Sequence, residues 1–379
     1  MRAPCLLVLV GTFALGACKG DATAPPKPAR ISVSVTATIV GTVNAPVVPS
    51  PTFTVLDDKG SPISKVSVTV SVGSGGGSVA NVAKESGGAP IPVGAWVLGP
   101  TPGLNTLTIT VAGLPQAVIT ADARPAYFVD LRFFGAPVDP VFQAAFQAAK
   151  TRIESVITAD VTDANVITLD VATPAPAGCG VTGVAALTER IDDVVVFATV
   201  DSIDGPGKVL GSSGPCYVRT PGGLSLVGVM RFDIADFQNL KNDGRLNDVV
   251  LHEMMHVIGI GTLWSSKGQI SGAGTPNSAF IGLQAVAGCQ FHGGTAPNQC
   301  GGGTVPLETT GGPGTRDVHW REVTTATGIG FRTELMTGFV SAVGTPNPLS
   351  RISIGSLGDI GYEVNLSAAG SYTVPSTAT

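Results

Sequence analysis

Four histidines occur in 379 residues. Two of them stand four apart in the run LNDVVLHEMMHVIGIGTLW, Leu246 to Trp264, with a glutamate directly after the first. On a helix, residues four apart lie one above the other on the same face, so His252 and His256 can present ring nitrogens to one metal ion at roughly 2.0–2.1 Å. Glu253 falls on the adjacent face, where a carboxylate can hold a water at the metal and take its proton. In a chain this long and this poor in histidine, H-E-x-x-H arises by chance roughly once in a thousand. The pattern therefore predicts one Zn2+ per chain and a hydrolytic chemistry with Glu253 as general base.

Two histidines leave a tetrahedral ion short of protein ligands. Gly259 falls three after His256, where a glycine lets the helix stop and the chain turn sharply. A short metzincin motif would place its third histidine at position 262, but Thr262 stands there. The remaining candidates are His319, in GTRDVHWRE, and His292, which is expected to be an exposed loop residue; Glu308 is the carboxylate rival. With 62 residues between His256 and His319, the chain resembles leishmanolysin, a metzincin family whose third histidine is delayed by an insertion. The runs DDVVVFATVDSIDGPGKVLGSSGPCYVR, GVMRFDIADFQNL, LHEMMHVIGIGTLW, GGPGTRDVHWRE, ELMTGF and NPLSRISIGSLGDIGYEV together resemble its bacterial members over residues 126–366. The resemblance implies a zinc endopeptidase with His252, His256 and His319 as metal ligands and Glu253 as base. It also implies Met336 of ELMTG as the turn methionine packed beneath the histidines.

The elements that must position these residues are legible as patterns. Tyr127 to Phe134 reads as a strand. Asp139-Pro140 opens a helix with Phe142, Phe146, Ile153, Val156 and Ile157 at helical spacing. Asp193 to Val200 and Leu224 to Phe232 read as further strands, the second leading into the motif helix, so residues 126–366 are expected to form an α+β zincin domain followed by a tail, 367–379. Upstream, Ile31, Val33 and Val35, then Val66, Val68, Val70 and Val72, then Leu107, Ile109 and Val111 alternate with period two. With turns at DDKG (57–60) and GSGGG (73–77), these predict a β-sandwich over residues 31–123. DDKGSPISKVSVTVSVGSGGGSV and PGLNTLTITVAG resemble bacterial immunoglobulin-like modules, which implies a spacer or an adhesive stalk. The expected fold class is thus multi-domain: an immunoglobulin-like β-sandwich followed by a metzincin-type catalytic domain.

Composition bounds the rest. The chain is 44% hydrophobic and 13% charged, so it can bury large cores. A net charge of -5 with no basic run gives no footprint for nucleic acid. Residues 1–18 read as an export signal: Arg2, an apolar stretch Leu6 to Leu15 too short for a span of about 20 residues, then small residues before Cys18. LGAC resembles a bacterial lipobox, which implies a lipid on Cys18, a membrane anchor, and Gly20 to Arg30 as a Pro/Ala-rich tether. Lys19 lacks the aspartate that marks inner-membrane retention, so outer membrane or cell surface is expected. With Cys5 lost in the signal, Cys179, Cys216, Cys289 and Cys300 remain; they permit three pairings, and the sequential one is expected. No C-x-x-C spacing favours thiolate zinc. The expected partner is a peptide or protein substrate, and the competing expectation is a surface adhesion protein whose zinc domain only binds.

Overall fold

The alternation upstream of residue 124 is realised as nine short strands: β1 (Arg30–Val33), β2 (Ile39–Thr42), β3 (Thr52–Leu56), β4 (Thr69–Val72), β5 (Ser78–Ala80), β6 (Ile91–Pro92), β7 (Ala95–Val97), β8 (Gly103–Thr110) and β9 (Ala117–Arg124). This computed structural model describes residues 25–322 and 330–375, so the expected signal segment and Cys18 lie outside the described residues. Contacts divide the chain into two units, Met1–Ala123 and Arg124–Thr379.

In the first unit, one sheet has the order β2-β9-β8-β4 and another β1-β3-β6, while β5 pairs with β7. None of these sheets closes into a barrel. Along β8, Asn105, Leu107 and Ile109 are buried while their neighbours are not, as period two requires of a sheet with one covered face. Leu107 and Ile109 join Phe53, Val55, Trp96 and Ile119 in a single core, each large side chain contributing about 1.5–3 kcal/mol on burial. The expected strand from Val66 is shorter than the pattern suggested. Ser67 forms an isolated bridge to Glu85 and the Val66 amide donates to Ser86 Oγ, so the ladder begins only at Thr69.

The second unit is built on β10 (Val129–Phe133), β11 (Ala164–Leu169), β12 (Leu187–Ile191), β13 (Val194–Asp201), β14 (Gly211–Val218) and β15 (Ser225–Asp233), with helices α1 (Pro140–Val156), α2 (Ile234–Asn242), α3 (Leu246–Ile258), α4 (Leu283–Phe291) and α5 (Arg351–Ile360). Its main sheet has the order β10-β13-β15-β14; β13 runs parallel to both neighbours and β14 forms an antiparallel edge. Strand β13 is buried through Val200, which explains its unbroken apolar sequence: both faces are covered. Helix α1 starts where Asp139 accepts the Val141 amide at 2.8 Å, with Pro140 at the first helical position. It buries Phe142 and Phe146, which pack edge-on or tilted against Phe232 and Phe237 with centroids 5.1–5.8 Å apart.

In this second unit one element departs from the sequence reading. The motif helix does not follow β15 directly; α2 intervenes, its first turn capped by Asp233, whose carboxylate accepts from Ala235. Close packing of α3 on the sheet depends on Gly228 of β15, where any Cβ would collide with Val257 of the helix. The four described cysteines form the sequential disulfides Cys179–Cys216 and Cys289–Cys300, the first joining a loop to β14. Two disulfides suit an extracytoplasmic, oxidising environment. Among the described residues no helix is long and apolar enough to cross a membrane.

Candidate metal centre

Helix α3 carries His252 and His256 on one face and ends at Gly259, whose φ of 131° is one that a side chain rarely tolerates. At Gly261 the returning chain meets the backbone of Val318 so closely that no side chain fits. That approach delivers His319 to the helix. The three Nε2 atoms lie 3.0 Å (His252 to His256), 3.0 Å (His256 to His319) and 3.1 Å (His252 to His319) apart. Each Nδ1 donates to a backbone carbonyl: His252 to Leu335 at 2.7 Å, His256 to Ile260 at 2.8 Å, His319 to Thr315 at 3.1 Å. A neutral ring so committed turns its Nε2 lone pair to the common centre. Burial, reinforced by the neighbouring imidazoles, holds His256 well below its ordinary pKa. Burial with His252 alongside pushes His319 down to about 3.

Three lone pairs facing one another repel unless a cation sits among them, and this is the physical test of fit. Two nitrogens each about 2.0–2.1 Å from a tetrahedral ion are about 3.3 Å apart, within a few tenths of an ångström of the spacing seen. His252, His256 and His319 thus form a group that can bind a metal.

Beside it, Glu253 Oε2 accepts from Ser213 Oγ on the edge strand β14 at 2.6 Å. Among the described residues nothing bonds its other oxygen. Thr262, which takes the position where a short motif would have histidine, donates instead to the His256 carbonyl at 2.6 Å. Histidines and glutamate open on a cleft of about 650 Å3 between β14, α3 and the segment 335–347. Ser213 was missed in the sequence because a serine on an edge strand carries no signal of what faces it.

A second unforeseen residue holds the site from behind. Glu334 is 0% exposed. Its Oε1 accepts from the Ser350 amide (3.0 Å), Ser350 Oγ (2.8 Å) and Ser353 Oγ (2.7 Å), and its Oε2 from the Met336 amide (2.6 Å). Burial raises its pKa, and these four donors oppose that shift. The turn it clamps touches two histidines. Leu335 supplies the carbonyl for His252, and Gly338 lies against His319, where a Cβ would stand 3.8 Å from the ring Cγ. Met336 is fully buried in the same turn and its carbonyl accepts from the Trp320 amide. The only hint in the sequence was that Glu334 opens the ELMTG run.

Glu308 is not among the three residues whose ligand atoms converge, although its amide donates to the His319 carbonyl at 2.9 Å. Its Oε1 accepts from Thr309 and Thr310 and its Oε2 from the Glu322 amide, so it clips the loop that carries His319. His292 corrects an expectation. Rather than an exposed loop residue it is 8% exposed, at the end of α4, bonding the Tyr372 carbonyl through Nδ1 and accepting the Arg351 amide through Nε2. A cap that staples α4 to α5 and the C-terminal segment is invisible to local pattern.

No protein-family model matches the chain, and no curated protein matches it. Among solved structures it is similar to the S-layer protein SbsC, domains 4 and 5, at 20% identity over 26% of this chain and 53% of that one, with a TM-score of 0.18. The match spans about half of that structure, and a TM-score this low carries no argument.

Proposed function

We propose that the protein is an extracytoplasmic zinc endopeptidase of the leishmanolysin-like metzincin type, carried on an immunoglobulin-like stalk and anchored by a lipid on Cys18. The observation that carries this reading is the convergence of three Nε2 lone pairs beside a carboxylate, at the wall of an open cleft. His252, His256 and His319 would hold the ion. When bound, Zn2+ polarises a carbonyl and acidifies a coordinated water. Glu253 is placed to take the proton of the attacking water and pass it to the departing amine. Ser213 fixes one carboxylate oxygen so that the other is presented to the cleft. The edge strand β14 offers unpaired backbone groups along which an extended peptide can lie.

The test replaces Glu253 with glutamine, which keeps size and hydrogen-bonding reach but removes the base. Casein digestion should fall by about 10²- to 10⁴-fold, with zinc content by elemental analysis unchanged. Digestion at the native rate would refute the mechanism. If neither protein cuts any substrate while both hold zinc, the domain is a binding module and the adhesion reading replaces the peptidase.

A further inference from the structure

A cavity of about 460 Å3 shares no lining residue with the metal cleft. Its volume falls within the roughly 300–1,000 Å3 of ligand pockets. Its walls include Phe291, Arg351, Leu366, Ala369, Ser371 and Thr373, and no carboxylate lines it. His292 also borders it, but stays neutral because its Nε2 accepts the Arg351 amide while its Nδ1 donates to the Tyr372 carbonyl. Arg351 is therefore the one charge in the lining.

The Arg351 guanidinium carbon stands 3.7 Å from the centroid of the Phe291 ring, itself 64% exposed. Stacking fixes the plane of a guanidinium but uses none of its N–H groups, which point outward along that plane. Among the described residues these N–H groups meet no acceptor. The carboxylates on either side in sequence are engaged elsewhere: Asp359 accepts the Gln284 and Ala285 amides at 2.9 Å, and Glu334 holds Ser350, Ser353 and Met336.

The other wall is the C-terminal segment. Ser371 and Thr373 are exposed while Tyr372 and Val374 turn inward, the alternation of an extended chain. The Tyr372 carbonyl and the Val374 amide both bond His292, the latter to its carbonyl at 2.8 Å, so one edge of the segment is occupied. Backbone groups of alternate residues in an extended chain point to opposite edges. Those of Ser371 and Thr373 thus face away from His292, and among the described residues they have no partner. An unpaired edge of this kind is a template for an added strand.

We propose that this cavity is a docking site for an extended acidic peptide segment, whose carboxylate pairs with Arg351 while its backbone adds to the free edge of residues 371–373. A carboxylate matches the planar fork of a guanidinium with two parallel hydrogen bonds. Phe291, Leu366 and Ala369 offer apolar cover to the neighbouring side chains. The site does not depend on the metal or on the peptidase reading.

The probe is a fluorescein-labelled peptide, acetyl-Thr-Val-Glu-Val-Thr-amide, with a neutral twin carrying Gln for Glu. Both are titrated by anisotropy against the full chain bearing Glu253→Gln, so that no cleavage intervenes. The acidic peptide should bind about tenfold to a hundredfold more tightly than its twin, a gap that narrows as salt rises. Adding Arg351→Gln should close the gap. Adding Thr373→Pro, which removes an outward N–H without a partner in the fold, should weaken both peptides alike. Thermal unfolding reports whether the variants are folded. Independently, hydrogen exchange on the native chain should slow at the Ser371 and Thr373 amides when the acidic peptide saturates it. Equal affinities for the two peptides, or a preference for Glu that survives Arg351→Gln, would overturn the assignment. If inorganic phosphate or glucuronate binds in an Arg351-dependent way while neither peptide does, the cavity takes a small anion and the peptide assignment falls. Should Arg351→Gln not fold, unchanged exchange at Ser371 and Thr373 in the native chain overturns it by itself.

Discussion

Replacing Glu334 with glutamine isolates the clamp behind the metal site. Three of its four bonds converge on Oε1, and the hydroxyls that form two of them are themselves fixed as donors. Ser353 Oγ accepts Trp320 Nε1–H at 2.8 Å and Ser350 Oγ accepts the Ile352 amide at 3.1 Å. The glutamine oxygen must therefore take the Oε1 position, and its NH2 then faces the Met336 amide, donor against donor, where 2.6 Å now separates donor and acceptor. Loss of one charge-assisted bond is worth about 1.5–3 kcal/mol, and a buried amide left unpaired costs about 1–3 kcal/mol more. The sum, about 2.5–6 kcal/mol, is a large share of a typical stability of about 5–15 kcal/mol. For a unit of this size it should lower Tm by roughly 5–24 °C. Because the same turn supplies the Leu335 carbonyl to His252, zinc affinity should fall about tenfold or more. Calorimetry of the second unit's transition, with zinc titration against a chelator, measures both. A Tm within about 2 °C of the native chain, with zinc affinity unchanged, would show that the clamp is not what holds the turn.

Two further outcomes are expected. His319→Ala should lose zinc as His256→Ala does, whereas His292→Ala should keep it and lose only stability, about 1–3 kcal/mol for each backbone group left unpaired; equal zinc retention in the His319 variant would remove it from the ligand set. Asp193 is buried against two other aspartates while accepting from Phe128 and Val161, and burial pushes its pKa up to about 7. A carboxyl that keeps its proton longer in the fold than its unfolded value of about 3.9 contributes stability that is complete below about pH 4 and is lost as pH rises to about 7. That contribution is on the order of 4 kcal/mol, so in chelator the Asp193→Asn chain should lack that part of the slope in urea unfolding between pH 4 and 7. An identical slope in both proteins would contradict the assignment.

What the sequence determined by itself was whatever repeats over a few residues. The i, i+4 spacing of His252 and His256 puts both imidazoles on one face of any helix. Asp139, Pro140 and the phenylalanines after them make α1 from local propensity and period, and the parity of the cysteines suits two bridges. The tertiary structure alone decided which distant groups meet these local ones. His319 reaches α3 because Gly261 lets the Val318 backbone come close, a fact about the path of a long loop. Glu308, equally eligible on paper, is used up by its own neighbours' amides. Ser213, Glu334 and His292 acquire their roles from what faces them, and no residue's own spacing records what lies opposite. The insertion of α2 and the late start of β4 have the same cause. Periodicity is set within a turn or two of chain, whereas a contact between remote segments is fixed only when the core packs and the buried polar groups find partners.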